Sequence, residues 1–210
     1  MTLTYLDLGY TSKDSGGPIS TLPSERLAEL LGQCPSLSTV ILAGNFIEHQ
    51  GTGMIAEVLP RSTSLTDLNL SNNCIRNEGA GVLAGVLGQC AVLVHLDLNY
   101  NEIRDEGAGM LAKVLCRCTS LDHLNLRHNA IRDKGSVDLA KVLGQCPTLV
   151  HLNLQDNDIR DEGAVSLAEA VRECPTLVEL CLDANRITPD GAEVLTSAYR
   201  LYTTLTYLCI

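Results

Sequence analysis

Residues 93–120 read LVHLDLNYNEIRDEGAGMLAKVLCRCTS, and this pattern returns every 28 residues along the chain. Its nearest full copy is LVHLNLQDNDIRDEGAVSLAEAVRECPT at residues 149–176. Full units begin at Leu37, Leu65, Leu93, Leu121, Leu149 and Leu177. A longer variant begins at Leu3 and a short one at Leu205. A repeat that runs from end to end predicts one elongated body of stacked, similar units.

Each unit predicts a strand, a turn and a helix. The run LVHLDL alternates apolar and polar residues, which indicates a strand with Leu96 and Leu98 facing inward and His95 and Asp97 facing outward. An Asn follows at a fixed position, where its amide can pair with backbone groups at the turn. Its six copies are Asn45, Asn73, Asn101, Asn129, Asn157 and Asn185. An Arg-Asp-Glu-Gly segment then predicts a helix start, whose acidic or amide side chain caps free N–H groups.

The cysteines follow the repeat as well. Five of the nine occupy one position near the end of the predicted helix, where Ser62 and Tyr202 stand in two other units. These five are Cys34, Cys90, Cys118, Cys146 and Cys174. The pattern indicates a packing position filled by reduced thiols, as expected in a reducing compartment. Cys181 and Cys209 are predicted to lie opposite one another on adjacent parallel strands, which is poor geometry for a disulfide.

The composition limits the kinds of partner. The chain has 210 residues, of which 45% are hydrophobic, with one Phe and no Trp, so its core must be built from Leu, Ala, Val and Ile. Fifteen Lys and Arg against 25 Asp and Glu give a net charge of −10, which repels phosphate backbones and anionic lipid. We therefore expect no nucleic-acid or membrane partner. No apolar run approaches the roughly 18 residues of a membrane span, and the N-terminus lacks the pattern of an export signal, so a cytoplasmic location is predicted.

A strand and a helix in every 28 residues predict a curved solenoid. The unit LxxLxLxxNxIxxxGAxxLAxxLxxC resembles the leucine-rich repeat of the ribonuclease-inhibitor type, which also occurs in NOD-like receptors and Ran GTPase-activating proteins. The resemblance covers residues 37–204. It implies an α/β leucine-rich-repeat solenoid, a horseshoe arc with a parallel β-sheet on the concave face and α-helices on the convex face. Because the matching positions are those of the scaffold, they specify the fold and not the function.

The chain is predicted to form a single solenoid domain, residues 1–210. Residues 1–36 form a divergent N-terminal repeat, in which Thr11 replaces the Asn and the loop YTSKDSGGPISTLPSE precedes a helix that begins near Ser24. Residues 37–204 form six 28-residue repeats, and residues 205–210 form a terminal strand. Because neither end carries a polar cap, we expect a fragment of a longer protein, or ends covered by another chain, including end-to-end self-association through the terminal strands.

Outward-facing strand positions and the turn positions after them vary between repeats, so they are predicted to form the binding surface. Histidines at the centre, with polar neighbours, give this surface a mixed charge. The candidate concave-face residues are Asp67, Asn69, His95, Asp97, Asn99, Tyr100, His123, Asn125, Arg127, His128, His151, Asn153, Gln155, Asp156, Glu179 and Asp183.

Two side-chain columns raise further hypotheses. His95, His123 and His151 could bind zinc or copper, but a column on a shallow sheet spreads its side chains in parallel, whereas zinc requires converging ligands. We therefore predict no metal site and no cofactor. The arginines could bind anions, but acidic residues follow them closely, so a salt-bridge ladder between repeats is favoured. This column comprises Arg76, Arg104, Arg132 and Arg160.

No catalytic residues are predicted, because no nucleophile stands out and the glycines recur at one helical position instead of forming a phosphate loop. The sequence favours a non-enzymatic protein–protein interaction module that binds a protein or peptide on its concave face. The resemblance implies inhibition, sensing or scaffolding. One alternative is a regulator of an enzyme in trans, either a GTPase activator or a nuclease-inhibitor-like protein. Another is an isolated repeat fragment of a larger receptor.

Overall fold

A computed structural model of the chain describes residues 3–9, 24–201 and 204–210, in which short strands alternate with helices. The strands are β1 Tyr5–Asp7, β2 Thr39–Ile41, β3 Asp67–Asn69, β4 His95–Asp97, β5 His123–Asn125, β6 His151–Asn153, β7 Glu179–Cys181 and β8 Tyr207–Cys209. The helices are α1 Ser24–Gln33, α2 Glu48–Val58, α3 Arg76–Leu87, α4 Asp105–Leu115, α5 Asp133–Leu143, α6 Asp161–Glu173 and α7 Pro189–Leu201, with a 3-10 helix at Leu59–Arg61. Thr11, Tyr202 and residues 10–23 of the N-terminal loop lie outside the described residues. The helix predicted near Ser24 is confirmed.

The strands form one parallel sheet in the order in which they occur along the chain, from β1 to β8. Each strand pairs with the equivalent residues of the next repeat, so that His95 lies opposite His123 and His123 opposite His151. The helices form a second layer on the opposite side of the core from the sheet, where each helix packs against the helix of the following repeat. The predicted leucine-rich-repeat solenoid, with a concave sheet and convex helices, is confirmed. Over the described residues, no helix is both long and apolar enough to cross a membrane.

The core lies between the sheet and the helices. In β4 the central Leu96 is buried while His95 and Asp97 are half-buried, and Leu98 is buried again just after the strand. From the helix side, Leu111 and Leu115 of α4 are buried against these leucines. The same strand pattern recurs in β2, β3, β5 and β6, because the alternating strand and the helical spacing direct equivalent residues inward. In β7 the outward-facing Cys181 is buried as well. The predicted inward and outward residues of the strands are confirmed.

The Asn at each turn links its own repeat to the preceding one. The amide nitrogen of Asn101 donates to the carbonyl oxygens of Leu70 at 2.9 Å and Leu98 at 3.0 Å. Its Oδ1 accepts hydrogen bonds from the backbone N–H groups of Asn73 at 2.9 Å and Ile75 at 3.3 Å. Asn101 is fully buried, so this single side chain satisfies backbone groups that water cannot reach. The predicted structural role of the Asn position is confirmed.

The helix caps differ from the prediction, because each acidic or amide side chain caps the helix of the following repeat. Asp105 Oδ1 accepts hydrogen bonds from the backbone N–H groups of Arg132, at 2.7 Å, and Gly135, at 3.0 Å, at the start of α5. Arg104, which precedes α4, makes no capping bond with its side chain. Equivalent caps join Asn77 to α4, Asp133 to α6 and Asp161 to α7. The capping residue was identified correctly, but its target is one repeat further along.

A glycine near the start of each helix from α4 to α7 allows the capping side chain to approach the helix backbone. A Cβ added at Gly135 would lie 2.9 Å from Asp105 Oδ1 and 2.8 Å from Ile131 Cγ2, closer than side-chain carbons normally approach. The glycine therefore leaves room for the carboxylate of the preceding repeat. This steric requirement accounts for a glycine at the same helical position in successive repeats.

The predicted arginine ladder is mostly wrong. Arg76 Nε lies 3.2 Å from Glu102 Oε2 of the next repeat. Among residues 3–9, 24–201 and 204–210, this is the one inter-repeat ion pair formed by the four arginines of the column. Arg104, Arg132 and Arg160 instead donate their backbone N–H groups to the cap of the preceding repeat. The carboxylates that suggested a salt-bridge ladder instead accept hydrogen bonds from backbone N–H groups of the next repeat.

The cysteine column packs against the core as predicted. Cys118, Cys146 and Cys174 are buried, whereas Cys34 and Cys90 are half-buried at the edge of the core. Burial raises the pKa of the Cys90 and Cys118 thiols to about 11 and that of Cys146 to about 12. These thiols are therefore protonated at neutral pH and behave as small apolar side chains.

Candidate functional site

The concave face contains a groove of about 500 Å³. It crosses strands β2 to β7, and its floor combines the buried central leucines with the half-buried polar residues on either side. Each polar side chain is fixed to a strand that is hydrogen-bonded on both sides, so the backbone beneath the groove is held in register. A groove of this volume lies in the size range of protein ligand sites.

The first residues of strands β3 to β7, together with Asp122 just before β5, form a row of acids and histidines along the concave face. We call this the histidine row: Asp67, His95, Asp122, His123, His151 and Glu179. His95 Nδ1 lies 2.5 Å from Asp67 Oδ1, and His95 Nε2 lies 3.7 Å from Asp122 Oδ1. The same Asp122 oxygen makes a short contact with His123 Nδ1. One carboxylate therefore lies between two histidines of adjacent strands.

The other end of the histidine row is arranged differently. The His123 and His151 rings stack nearly parallel, with centroids 3.8 Å apart and an interplanar angle of 18°. His151 Nδ1 then lies 2.8 Å from Glu179 Oε2. This hydrogen bond lowers the pKa of Glu179, and the Cys181 thiol, which donates to the same carboxylate, lowers it further. The row thus ends on an ionised carboxylate.

The last residues of strands β3 to β6 have a structural role that the sequence did not reveal. Asp97 Oδ1 accepts the backbone N–H of Asn99 at 2.9 Å, and Asn125 Oδ1 accepts that of Arg127 at 3.0 Å. Asn69 and Asn153 make the same bond two residues along the chain. Such bonds fix the turn that leaves each strand. These groove residues therefore hold the next column in place as well as facing the groove.

The remaining candidates lie beyond the strands and form a separate surface. Arg127 is paired with Asp156, its Nη2 lying 2.6 Å from Asp156 Oδ2. The Tyr100 and His128 rings stack with centroids 3.8 Å apart and an interplanar angle of 17°. Tyr100, His128 and Asp156 all have positive φ angles of 53 to 55°, so the turn itself directs these side chains.

The predicted residues therefore divide between two depressions. Nine line the groove: Asp67, Asn69, His95, Asp97, His123, Asn125, His151, Asn153 and Glu179. Tyr100, His128 and Asp156 instead line a depression of about 390 Å³ on the turn side. Asn99, Arg127, Gln155 and Asp183 line neither of these two depressions. The sequence predicted one surface, whereas the structure describes two.

Comparison with known proteins supports the fold. The sequence profile of the family described as Leucine Rich repeat matches residues 61–84, 89–112, 117–140, 145–168 and 173–195, together more than half of the chain. The chain belongs to the leucine-rich-repeat family. Among curated proteins, no sequence shows significant similarity to this leucine-rich-repeat chain.

Solved structures similar to this leucine-rich-repeat chain include two that share its fold at low sequence identity. The structure described as leiomodin-1 actin-binding site 2 has a TM-score of 0.60 and 22% identity, covering 69% of this chain and 85% of that one. The tropomodulin C-terminal domain of Caenorhabditis elegans has a TM-score of 0.54 and 12% identity, covering 84% of this chain and 91% of that one. At these identities, the similarity supports the architecture alone.

One residue of the histidine row was missed from the sequence. Asp122 precedes β5, at a position that the repeat pattern does not assign to the concave face, yet its carboxylate contacts His95 and His123. A signal was available in the sequence. The equivalent positions in other repeats are Thr66, Val94, Val150 and Val178, so an acidic residue here departs from the pattern.

Proposed function

We propose that this chain is a protein-interaction module that binds an extended protein or peptide segment in its concave groove. The observation that carries the proposal is the histidine row, in which acids and imidazoles project at a fixed spacing from hydrogen-bonded strands. A surface that is already ordered loses little conformational entropy on binding, so polar contacts along it contribute more fully to affinity. The structural roles of Asp97 and Asn125 support this, because they hold the groove edge in place.

The charge of the groove favours a basic segment. Asp67, Asp97 and Glu179 line it, and none of the described residues that line it is Lys or Arg. The net charge of −10 adds a long-range attraction for cations. Lys or Arg side chains of a partner would meet carboxylates at either end of the groove, and the histidines would accept or donate hydrogen bonds between them. Binding of such a segment should weaken as the salt concentration rises.

The test compares a groove variant with a convex-face variant of matched size. His123→Ala, His151→Ala and Glu179→Ala, all in the groove, are combined in the first, and Glu106→Ala, Lys113→Ala and Arg117→Ala, all exposed, in the second. Actin is the first partner to test, by co-sedimentation, because the similar leiomodin-1 structure is described as an actin-binding site. A set of basic and acidic extended peptides, followed by fluorescence anisotropy, forms the second arm.

We expect a bound partner to be lost in the groove variant and kept in the convex-face variant. Equal binding by both variants, or preference for the acidic peptides, would contradict the proposal. Loss of binding in the convex-face variant alone would place the interface on the helices. Circular dichroism of both variants checks that each remains folded.

The finer predictions from the sequence belong to the same proposal. The 28-residue repeat supports the ribonuclease-inhibitor subtype, and the column of free cysteines packed against the core suits a cytoplasmic location. We treat residues 1–210 as one interaction domain, with β1 and β8 as edge strands open to self-association.

For the alternative role as a regulator in trans, GTP hydrolysis by candidate GTPases is measured with and without the chain. Stimulated hydrolysis would favour that role over simple binding.

A further inference from the structure

We propose that His95, Asp122 and His123 form a binding site for a divalent transition-metal ion of the zinc class. The three side chains offer two imidazole nitrogens and one carboxylate oxygen, and these atoms lie within 4.8 Å of one another. The prediction of no metal site assumed that the rings of the histidine column spread in parallel. That holds for His123 and His151 but not for His95 and His123, whose rings meet at an interplanar angle of 67°.

The first argument is the spacing of the ligand atoms. Tetrahedral zinc, with metal–ligand distances of about 2.0–2.1 Å, places its ligand atoms about 3.3 Å apart. His95 Nε2 and Asp122 Oδ1 are 3.7 Å apart, while Asp122 Oδ1 and His123 Nδ1 are already in closer contact than this. The His123 Nδ1–H donates to Asp122 in this contact, so a bound metal ion would displace that proton. Small side-chain rotations would equalise these distances. The backbone need not move, because His95 and His123 lie opposite one another in the paired strands β4 and β5.

The second argument concerns the protons of His95. A carboxylate can only accept, so the 2.5 Å contact with Asp67 places a proton on His95 Nδ1. In the neutral ring, Nε2 then carries a lone pair, and it faces the Asp122 carboxylate. These two acceptor atoms, 3.7 Å apart, face the same position and can both bind a cation placed there.

Asp67 also supplies the outer partner that metal-binding histidines usually have. A ligating imidazole commonly donates its other N–H to a carboxylate, which orients the ring and increases its basicity. The Asp67–His95 contact provides this arrangement before any metal binds. Asp67 is therefore a positioning residue and not a ligand.

The chemistry of the ligands selects the class of metal. Two imidazoles and one carboxylate suit zinc and similar ions, whereas calcium and magnesium prefer oxygen ligands alone. With three protein ligands, the fourth position is left for water or another ligand, as in zinc sites that are open to solvent. The site can also be reached from outside, because the side chains of His95, His123 and Asp122 are 45%, 42% and 33% exposed.

The test is titration of the full chain with zinc, followed by isothermal calorimetry in a buffer without chelators. One ion per chain is expected. Each of the variants His95→Gln, Asp122→Asn and His123→Gln should lower the affinity at least ten-fold, and Asp67→Asn should lower it about ten-fold. His49→Gln and His128→Gln are controls, since both remove histidines outside the triad and outside the groove and should leave the affinity unchanged.

Cobalt absorption provides a second readout that does not depend on affinity. Visible bands of four-coordinate cobalt without an intense near-ultraviolet sulfur band are expected, because no cysteine is among the ligands. A strong sulfur band would place the ion on a surface thiol such as Cys74 and overturn the proposal. Absence of zinc binding, or unchanged binding in Asp122→Asn, would equally overturn it.

Discussion

At the scale of single residues, the buried Asn of each turn shows how one side chain can hold two repeats together. Besides the Asn99 carbonyl, Asn101 serves four buried backbone groups, two N–H and two C=O, that lie in its own repeat and in the one before. Each of these groups is removed from water, so each would lose its partner if the amide were deleted. A buried polar group without a partner costs about 1–3 kcal/mol.

Replacement of Asn101 by Ala should therefore lower the free energy of unfolding by about 3–5 kcal/mol. The matched control is Asn99→Ala two residues earlier, a half-buried side chain whose amide bonds only to the nearby Asp97. That change should cost less than about 1 kcal/mol. Urea unfolding followed by circular dichroism measures both. Similar losses in the two variants would show that the buried ladder is not a principal source of stability.

A second residue-scale prediction concerns Glu179. Its carboxylate should titrate below the ordinary Glu pKa, chiefly because of the His151 hydrogen bond, and His151→Ala should raise the pKa toward the ordinary value. Since the folded-state pKa is the lower one, the interaction stabilises the fold above the ordinary pKa and is lost as the pH falls through the folded value. Carbon-13 NMR titration of the carboxyl group measures this directly.

Cys181→Ala provides the comparison for Glu179, because the thiol is the weaker of the two hydrogen-bond donors to the carboxylate. A smaller rise in the pKa is expected than with His151→Ala. An unchanged Glu179 pKa in the His151 variant would mean that the two side chains do not interact in solution.

At the scale of strands and helices, neighbouring repeats are joined by capping as well as by packing. Asp105 belongs to α4 but accepts two backbone N–H groups at the start of α5. A lost cap costs about 1 kcal/mol, and here the effect should appear in the following repeat. The start of each helix from α4 to α7 thus depends on a residue about 27 positions earlier in the chain.

Asp105→Ala should therefore accelerate hydrogen exchange at the Arg132 and Gly135 amides about five-fold, which is the factor that corresponds to about 1 kcal/mol. Glu106→Ala, an exposed acidic residue in the same turn of α4, is the control and should leave those amides unchanged. Amide exchange measured by NMR distinguishes the two variants. Faster exchange within α4 and not α5 would contradict the assignment of the cap.

The repeat pattern predicts some of these structural features and not others. The strands, helices, buried leucines and Asn ladder all follow from periodicity, because each depends on residues close in sequence. The target of the Asp105 cap and the position of the Asp122 carboxylate depend on side chains from two repeats meeting, which periodicity alone does not determine. The ion pairs expected for Arg132 and Arg160 are not formed within the described residues, because the acidic side chains accept hydrogen bonds from backbone N–H groups at the start of the next helix.

At the scale of the whole molecule, the constant register makes the repeats interchangeable. Each residue of strands β2 to β7 pairs with the residue 28 positions further along in the next strand, and the contacts of one repeat are confined mainly to its neighbours. In such an array, stability is roughly a sum of unit and interface contributions. A whole unit can therefore be removed without disturbing the pairing of the rest.

Deletion of residues 121–148, which joins Ser120 to Leu149, should give a shorter chain that still folds. Its helix content per residue should be unchanged by circular dichroism, and its urea m value should fall with the surface no longer buried. Deletion of residues 121–134 is the control and should abolish cooperative unfolding, because it leaves a helix without its strand. Cooperative folding of the half-unit deletion would contradict the repeat boundaries.

The two side-chain ladders also give the chain a direction, and this affects how it folds during synthesis. The Asn amide serves the preceding repeat, whereas the Asp cap serves the following one. A repeat that emerges from the ribosome therefore meets a helix cap that is already in place, but its turn remains without partners until the next Asn is translated. Growth of the folded chain should thus lag behind translation by about one unit, with the most recent turn always the least protected.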